Sequence, residues 1–401
     1  MENIMERKEY LDRLIGFRDK QIIKIITGIR RCGKSTMMEI FQNYLCDNGV
    51  LPEQIIALNF EDYSNDYLLE PKILHDYILN RLHSDKTTYV FLDEIQNVKN
   101  FQKVVDSLFL RKNIDLYLTG SNAYMLSGEL ATLLSGRYVE IEMLPLSFKE
   151  YVLSTGNTNE LERKYTDYIE NSSFPYTLQL DGNKKQIYDY LNGIYSTVVL
   201  KDVIGRTRIA DNMILESIVR FVFDNIGNQL STKSISDFMT SSGRKIDVKT
   251  VEKYIKALMA SYIIYQAKRY NVKGKLYLKT LEKYYMVDIG LRYMMLGNKS
   301  GDFGHILENV IYLELLRRGY QVYVGKVDEH EVDFVAMNKS GITYFQVALT
   351  VRDKSTFDRE ITPLQKISDH YPKYILTLDN DPEADYDGIK QINALKWLMD
   401  Y

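Results

Sequence analysis

A glycine-containing loop between an apolar strand and a helix constrains the fold of this chain most strongly. The stretch from Gln21 to Leu45 reads QIIKIITGIRRCGKSTMMEIFQNYL. The four isoleucines before Thr27 predict a buried β-strand, and the apolar residues after Thr36 recur at helical spacing. The loop between them has the pattern GxxxxGKS, in which backbone N–H groups and a helix N-terminus bind phosphate oxygens. The sequence therefore predicts a nucleotide-phosphate site in this loop.

The loop also predicts which side chains bind the nucleotide and its metal. Lys34 is expected to reach the β- and γ-phosphates, and the hydroxyl of Ser35 is expected to bind Mg²⁺. Two arginines occupy loop positions where small residues are commoner, and they either pair with phosphate or an acid or lie in solvent. The predicted nucleotide-binding residues are Gly28, Arg31, Cys32, Gly33, Lys34, Ser35 and Thr36.

Two adjacent acids after a second apolar strand predict the other half of the site. In TTYVFLDEIQNV, the run from Tyr89 to Leu92 delivers Asp93 and Glu94 to a strand end, where open α/β sheets bind their ligands. We expect Asp93 to hold Mg²⁺ and Glu94 to polarise the attacking water. The strand IDLYLTGSN ends in further polar residues, of which Asn122 is the first candidate to contact the γ-phosphate and Ser121 the second.

Composition and charge limit the class of protein. At 401 residues, two or three domains are expected, because single cores stop growing at roughly 250–300 residues. Two cysteines give no disulfide framework, and no apolar run reaches membrane-spanning length, so we expect a soluble cytoplasmic protein with no membrane partner. The net charge is −3. It is uneven, however, since residues 205–300 hold 17 Lys/Arg against 8 Asp/Glu, which favours a surface that faces a polyanion.

Several motifs together resemble the prokaryotic AAA+ ATPases that carry a C-terminal DUF 4143 region. They are GIRRCGKST, VFLDEIQNV, LTGSNAYMLSG, LSGRYVEIEMLPLSFKEY and NIGNQLSTKSI. The resemblance implies that Asn122 reads the γ-phosphate and that Arg137 completes a neighbouring subunit's site in a homo-oligomer, for which a hexameric ring is one form. For Arg137 the alternative is a surface strand cap. The resemblance also implies that Asn59 restrains Glu94 until a partner binds.

The remaining two-thirds of the chain predicts three further segments after an ATPase core over residues 1–150. Residues 151–205 are helical and resemble the AAA+ lid. Residues 206–298 show three helices and a hairpin, the order of a winged helix, with lysines at 249, 253 and 256 on the third helix. These lysines either bind duplex DNA or form a solvated face of a protein-binding module.

Residues 299–401 resemble the PD-(D/E)xK nuclease fold. Glu308, Asp333 and Gln346 match three positions of the nuclease motif, but Ala348 stands where the lysine should be. Since an ammonium and a second carboxylate are missing, we expect metal affinity and water activation to be weak and cleavage to be lost.

The sequence therefore predicts an α/β protein with a P-loop AAA+ parallel sheet, a helical lid, a winged helix and a degenerate nuclease-like domain. We expect a Mg²⁺-dependent ATPase that couples hydrolysis to motion of its C-terminal half, acting on DNA. One alternative is a slow nucleotide-gated switch that recognises a protein. A second alternative is an ATP-controlled DNA nuclease.

Overall fold

The computed structural model describes residues 5–123, 134, 136–156, 158–204, 212–297 and 301–400. The chain divides into two compact units. The N-terminal unit comprises Met1–Pro145 with Ala260–Tyr262, and the C-terminal unit comprises Leu146–Met259 with Ile263–Tyr401.

The N-terminal unit alternates strands and helices, as the sequence pattern predicts. Its strands are β1 (Ile23–Thr27), β2 (Ile55–Asn59), β3 (Thr88–Asp93), β4 (Ile114–Gly120) and β5 (Tyr138–Glu142). Its helices are α1 (Lys8–Gly16), α2 (Lys34–Asp47), α3 (Pro71–Leu79) and α4 (Phe101–Phe109), with short 3₁₀ turns at Pro52–Gln54, Tyr63–Leu69 and Ile95–Asn97.

The five strands form one parallel sheet in the order β2-β3-β4-β1-β5. All residues of β1, β3 and β4 are buried, because helices cover both faces of such a sheet. In the register, Thr27 lies beside Gly120, and Asn59 lies beside Asp93. The carboxyl ends of the strands therefore meet at one edge, where the phosphate loop begins. Strand β4, which precedes Ser121 and Asn122, lies between β1 and β3.

A buried ion pair lies near the other end of the same sheet, where the strands begin. Lys24 is fully buried, and its ammonium contacts the carboxylate of Asp115 and lies over the ring of Tyr117. Burial raises the pKa of Asp115 and lowers the pKa of Lys24, and their mutual attraction opposes both shifts. The pair joins β1 to β4 below the phosphate loop.

The C-terminal unit begins with helices and ends with a mixed sheet. Its helices are α5 (Phe148–Ser154), α6 (Leu161–Asn171), α7 (Lys184–Thr197), α8 (Asn212–Asp224), α9 (Thr232–Ser241), α10 (Val248–Ala260), α11 (Ile289–Leu296), α12 (Phe303–Arg317), α13 (Lys354–Gln365) and α14 (Ala394–Met399). A 3₁₀ segment covers Pro175–Leu180 and a π-helical segment covers Val198–Ile204. Its strands are β6 (Gln229–Leu230), β7 (Ile264–Asn271), β8 (Leu276–Met286), β9 (Gln321–Val327), β10 (His330–Asn338), β11 (Gly341–Ala348), β12 (Lys373–Thr377), β13 (Ala384–Tyr386) and β14 (Ile389–Asn393).

All nine strands of this unit form a single sheet in the order β13-β14-β12-β11-β10-β9-β7-β8-β6. Strands β6, β8 and β7 pair antiparallel, and α8, α9 and α10 precede the β7–β8 hairpin in the chain, the order predicted for residues 206–298. Strand β7 then pairs in parallel with β9. The hairpin and the last third of the chain therefore share one sheet, although the sequence predicts them as two domains.

The helices predicted as a lid group with the C-terminal unit rather than with the ATPase sheet. The unit boundary falls after Pro145, close to the end predicted at residue 150. Within the C-terminal unit, the backbone N–H and hydroxyl of Ser173 donate to Asp288 at 2.7 and 2.6 Å. This contact joins the end of α6 to the start of α11, so the helical segment is held by residues predicted to lie in the next domain. The boundaries at 150, 205 and 298 stay predictions.

Candidate nucleotide site

The phosphate loop has the backbone shape that its glycines allow. Gly28 has φ 138° and Gly33 has φ 104°, values that side chains rarely tolerate. A Cβ at Gly28 would lie 2.2 Å from the carbonyl oxygen of Met143, so no larger residue fits. Helix α2 begins at Lys34 with no side-chain cap at Gly33. Its first N–H groups are thus left for an external acceptor, which is the condition for an anion site.

Lys34 is folded into the loop and lies close to the acidic strand. It is only 4% exposed, and its ammonium donates to the carbonyl oxygens of Gly28 and Ile29 at 3.0 and 3.1 Å. The same nitrogen is 3.9 Å from Oε1 of Glu94. The structure therefore brings together the predicted phosphate-binding lysine and the glutamate that is predicted to polarise the attacking water. Ser35 and Thr36 are exposed on the first turn of α2.

The other predicted loop residues have different surroundings. Cys32 is fully buried, and burial raises the pKa of its thiol. The guanidinium of Arg7 donates to the carbonyl oxygen of Cys32 at 3.0 Å. Arg30 pairs with Glu61 at 2.8 Å, whereas Arg31 is exposed at a positive φ of 68°. Pairing with an acid, one of the two predicted alternatives, is what the structure shows for Arg30.

Thr119 holds both acids at the end of β3. Its hydroxyl donates to the Asp93 carboxylate and accepts the backbone N–H of Glu94 at 2.8 Å. Glu94 has the left-handed conformation, at φ 52° and ψ 45°, which is uncommon for residues other than glycine. Thr119 was not among the predicted site residues, because its only signal in the sequence is a hydroxyl within the apolar run IDLYLTG.

The polar residues after β4 lie at the same sheet edge. Ser121 and Asn122 are buried, at 0% and 1% exposure. Gln96, on the 3₁₀ turn after β3, donates from Nε2 to the carboxylate of Glu94, and this nitrogen is 3.5 Å from Oγ of Ser121. Asn59 makes no hydrogen bond to Glu94; its side-chain oxygen accepts the backbone N–H of Glu61 at 2.8 Å. Gln96, and not Asn59, is therefore the side-chain amide that contacts Glu94.

Arg137 lies away from the phosphate loop of its own chain. Its carbonyl accepts the N–H of Ile23, the first residue of β1, so it is at the sheet edge opposite the loop. Its guanidinium pairs with Asp106 of α4 and lies over the ring of Phe109. The side chain is 41% exposed. These contacts join β5 to α4.

Comparison with known proteins shows the family of this chain. A sequence-family model described as AAA domain matches residues 20–152. An uncharacterized protein of Haemophilus influenzae is 38% identical over 400 residues, covering 99% of both chains. The chain belongs to this AAA-type P-loop family. An uncharacterized protein of Methanocaldococcus jannaschii is 28% identical over 363 residues, covering 86% of this chain and 78% of its own.

Two further matches are a solved structure and a family model for the middle of the chain. A Walker-type ATPase of Pyrococcus abyssi is similar in fold, with a TM-score of 0.51 and 15% identity, over 73% of this chain and 96% of its own. The family model that matches residues 162–302 is described as a domain of unknown function, DUF8612. The predicted DUF 4143 assignment is therefore not confirmed. No helix in the described part of the chain is both long and apolar enough to cross a membrane.

The residues that match the nuclease motif form an ion-pair network in this AAA-type protein. Lys283 of β8 is 4% exposed, and its ammonium lies 2.8 Å from Glu308 and 2.7 Å from Glu331. Burial lowers the pKa of Lys283, but the surrounding carboxylates outweigh it and raise the pKa overall. Burial and the neighbouring Glu308 raise the pKa of Asp333 well above its usual value. Lys283, on a strand distant in the sequence, was missed by the sequence analysis.

Hydrogen bonds within the protein already occupy several of the oxygen atoms that a metal would need. The side-chain oxygen of Gln346 accepts the N–H of Asp333 at 2.8 Å, and its amide nitrogen donates to Glu360 at 2.7 Å. One carboxylate oxygen of Asp333 accepts the N–H of Val347 at 2.8 Å. Within the described ranges, no group of three or more acidic, histidine or cysteine residues is placed to hold a metal ion. The cluster does not fit a metal, and we derive no cleavage step from it.

The three lysines of α10 are exposed on one face of the helix, as their spacing predicts. Lys249, Lys253 and Lys256 are exposed, while Val251, Tyr254 and Leu258 are buried on the opposite face. In the portion of the chain that the structure describes, none of the three lysines has an acidic partner within 4 Å. In the hairpin, Lys268 is exposed. Helix α10 thus presents three exposed lysines on one side, with Glu252 between them in the sequence.

Proposed function

We propose that this protein binds ATP with Mg²⁺ and hydrolyses it to ADP and phosphate. The observation that carries the proposal is the approach of Lys34 to Glu94 at 3.9 Å, at the edge where the uncapped start of α2 and the end of β3 meet. The fold and the family agree with a P-loop ATPase. Lys34 neutralises phosphate charge, and Glu94 polarises the water that attacks the γ-phosphorus.

The side chains at this edge suit magnesium. Ser35 offers a hydroxyl on the first turn of α2, and Asp93 offers a carboxylate that is oriented by Thr119. Oxygen donors of this kind are the ligands that Mg²⁺ prefers. Bound there, Mg²⁺ supplies positive charge that offsets the triphosphate. Asn122, buried beside Ser121 at the end of β4, is our candidate for the residue that contacts the γ-phosphate.

Two substitutions test the proposal. Lys34→Ala removes the buried ammonium and should abolish binding of a fluorescent ATP analogue. Glu94→Gln should keep binding but retain unhydrolysed ATP, because an amide does not accept the proton from water. The matched controls are Lys72→Ala and Glu53→Gln, both at exposed positions outside the site. If Glu94→Gln hydrolysed ATP at the wild-type rate, Glu94 would lose its role.

We also propose that the ATPase is a homo-oligomer in which Arg137 reaches the site of the next subunit. Its position at the edge opposite the loop, with 41% of the side chain exposed, allows contact with another copy. Mass measurement in ATP, with and without Arg137→Ala, tests this. The proposal requires an ATP-dependent oligomer whose hydrolysis rate falls in the variant, and a monomeric active enzyme would exclude it.

For the C-terminal unit we propose duplex DNA as the partner of α10 and the β7–β8 hairpin, acting as a winged helix. The specific observation is that Lys249, Lys253 and Lys256 are exposed on one face of α10. Replacing all three with alanine should weaken binding and reduce the salt dependence by about one ion per lysine, because fewer counterions are released. Hydrolysis that is slow and insensitive to DNA would instead favour a nucleotide-gated switch that recognises a protein.

A further inference from the structure

We propose that Gln96 is a second water-orienting residue of the ATPase site, acting beside Glu94. This inference rests on the proposed ATP hydrolysis and adds to it a residue that the phosphate-loop motif does not specify. Gln96 lies on the 3₁₀ turn Ile95–Asn97, directly after Glu94, so its side chain starts from the sheet edge at which hydrolysis is proposed.

The orientation of the Gln96 amide follows from what surrounds it. Its Nε2 donates to the carboxylate of Glu94 and lies 3.5 Å from the hydroxyl oxygen of Ser121. An ionised carboxylate only accepts hydrogen bonds, so the nitrogen of the amide, and not its oxygen, must face Glu94. The bond holds the Glu94 carboxylate in one position, and it turns the amide oxygen of Gln96 in the other direction.

That amide oxygen lacks a hydrogen-bond partner among the described residues. Oε1 of Gln96 is buried and accepts no hydrogen bond from any residue that the structure describes. Buried polar atoms without a partner are uncommon in folded proteins, because desolvating them costs free energy. A hydrogen-bond acceptor without a partner beside the Glu94 carboxylate indicates that a hydrogen-bond donor binds there during the reaction. Water is the donor that hydrolysis requires.

Two acceptors suffice to orient one water molecule. A water that donates one hydrogen to Glu94 and the other to Oε1 of Gln96 has a lone pair free to attack phosphorus. The water oxygen then forms a bond to the γ-phosphorus, and the bond to the bridging oxygen breaks, with its electron pair leaving on ADP. One water proton passes to the Glu94 carboxylate and from there to the product phosphate. Atoms and charges balance without a further reactant.

A different role for Gln96 makes an opposite prediction. If its contact with Glu94 held the acid away from the water, removing Gln96 would raise the basal rate of hydrolysis. If Gln96 only packed the turn, its removal would lower stability and leave the rate per folded molecule unchanged. The orientation role predicts a lower kcat with an unchanged KM for ATP, since water and not nucleotide loses a contact.

The first test compares Gln96→Ala with Asn97→Ala. Asn97 is the matched control, because it carries an amide on the same turn but is exposed and donates to the carbonyl of Phe60 at 3.2 Å. We expect Gln96→Ala to lower kcat by about 10²-fold, as for loss of one positioned polar group, with normal binding of a fluorescent ATP analogue. Asn97→Ala should keep the wild-type rate. An unchanged or raised kcat in Gln96→Ala would overturn the inference.

The second test uses Gln96→Glu, which keeps the size of the side chain. A second carboxylate beside Glu94 repels it when both are ionised, whereas a protonated carboxyl again offers one donor and one acceptor. The kcat of Gln96→Glu relative to wild type should therefore rise as the pH is lowered from about 8 to about 6. A pH-independent ratio would contradict the inference, since packing alone gives no such dependence.

Failure of this inference is distinguishable from failure of the proposed function. If wild-type protein hydrolyses ATP and Glu94→Gln does not, the proposed function stands, and the Gln96 variants then decide the inference alone. If wild-type protein neither binds nor hydrolyses ATP, the proposed function fails, and the inference fails with it.

Discussion

Replacing Lys283 with methionine tests whether its ion pairs with Glu308 and Glu331 stabilise the C-terminal unit. Lys283 is 4% exposed and pairs with Glu308, which is equally buried, and with Glu331, which is partly exposed. Methionine has a similar length and fills the space of the aliphatic chain but carries no ammonium. The variant therefore leaves the Glu308 carboxylate buried without its cation.

The size of the effect follows from the remaining partners of Glu308. Breaking a buried ion pair by removing one member typically costs about 3–5 kcal/mol. The hydroxyl of Tyr285 still donates to Glu308, and Glu331 can turn toward water, so we expect a value near the lower end, about 3 kcal/mol. For a unit of this size, each kcal/mol lowers Tm by roughly 2–4 °C, which gives a decrease of about 6–12 °C.

The assay is thermal unfolding of the full-length protein, with the C-terminal transition followed separately. Lys273→Met is the matched control, because its pair with Asp328 at 2.6 Å is about half exposed, so water screens the pair and the substitution should change Tm little. The double variant Lys283→Met with Glu308→Gln should recover much of the loss, since no buried charge is then left unpaired.

Two results would refute this reasoning. If Lys283→Met unfolded at the wild-type temperature, the Glu308 carboxylate would not depend on the ammonium. If instead Lys283→Met bound Mn²⁺ tightly and cleaved plasmid DNA, the cluster would be a metal site that the lysine blocks.

Three further predictions concern both units. Gly28→Ala should abolish ATP-analogue binding, because its Cβ would lie 2.2 Å from the carbonyl oxygen of Met143 at a φ of 138°; normal binding would show that the loop relaxes freely. Thr119→Val should lower kcat at least about tenfold, the equivalent of about 1.4 kcal/mol, with little loss of Tm, since Asp93 and Glu94 both lose the hydrogen bond to its hydroxyl. A wild-type kcat would show that this hydroxyl is not needed for hydrolysis. Because its pKa is raised in the folded state, Asp333 keeps a proton that the unfolded chain has released, so unfolding free energy should fall as pH rises above about 4. Denaturation across pH should show this slope in wild type and lose it in Asp333→Asn, and equal slopes would argue against the raised pKa.

The phosphate loop and the acid pair could be predicted because their geometry is local. The strand, the two glycines and the start of α2 are adjacent in the chain, so GxxxxGKS nearly determines the backbone shape by itself. Asp93 and Glu94 could be predicted because a buried strand has to end where its apolar run ends. The structure places Lys34 and Glu94 together, as expected for one nucleotide site.

The partners of these residues could not be predicted, because they depend on which strands become neighbours. Strand β4 lies between β1 and β3, and only this order brings the hydroxyl of Thr119 to Asp93. The left-handed turn at Glu94 likewise directs Gln96 back toward the acid. Periodicity specifies which face of a strand is buried, but it does not specify the strand on either side.

The same distinction applies to the C-terminal unit. Its sequence alone determined the order of the three helices and the hairpin in residues 206–298, the exposed lysines of α10 and the absence of a lysine at Ala348. Only the tertiary structure decided that β7 pairs with β9 and that Lys283 lies among the acids of the nuclease-like motif. Helical and strand patterns arise from neighbours along the chain, whereas the partner of a buried charge is set by segments that meet only when the sheet is complete.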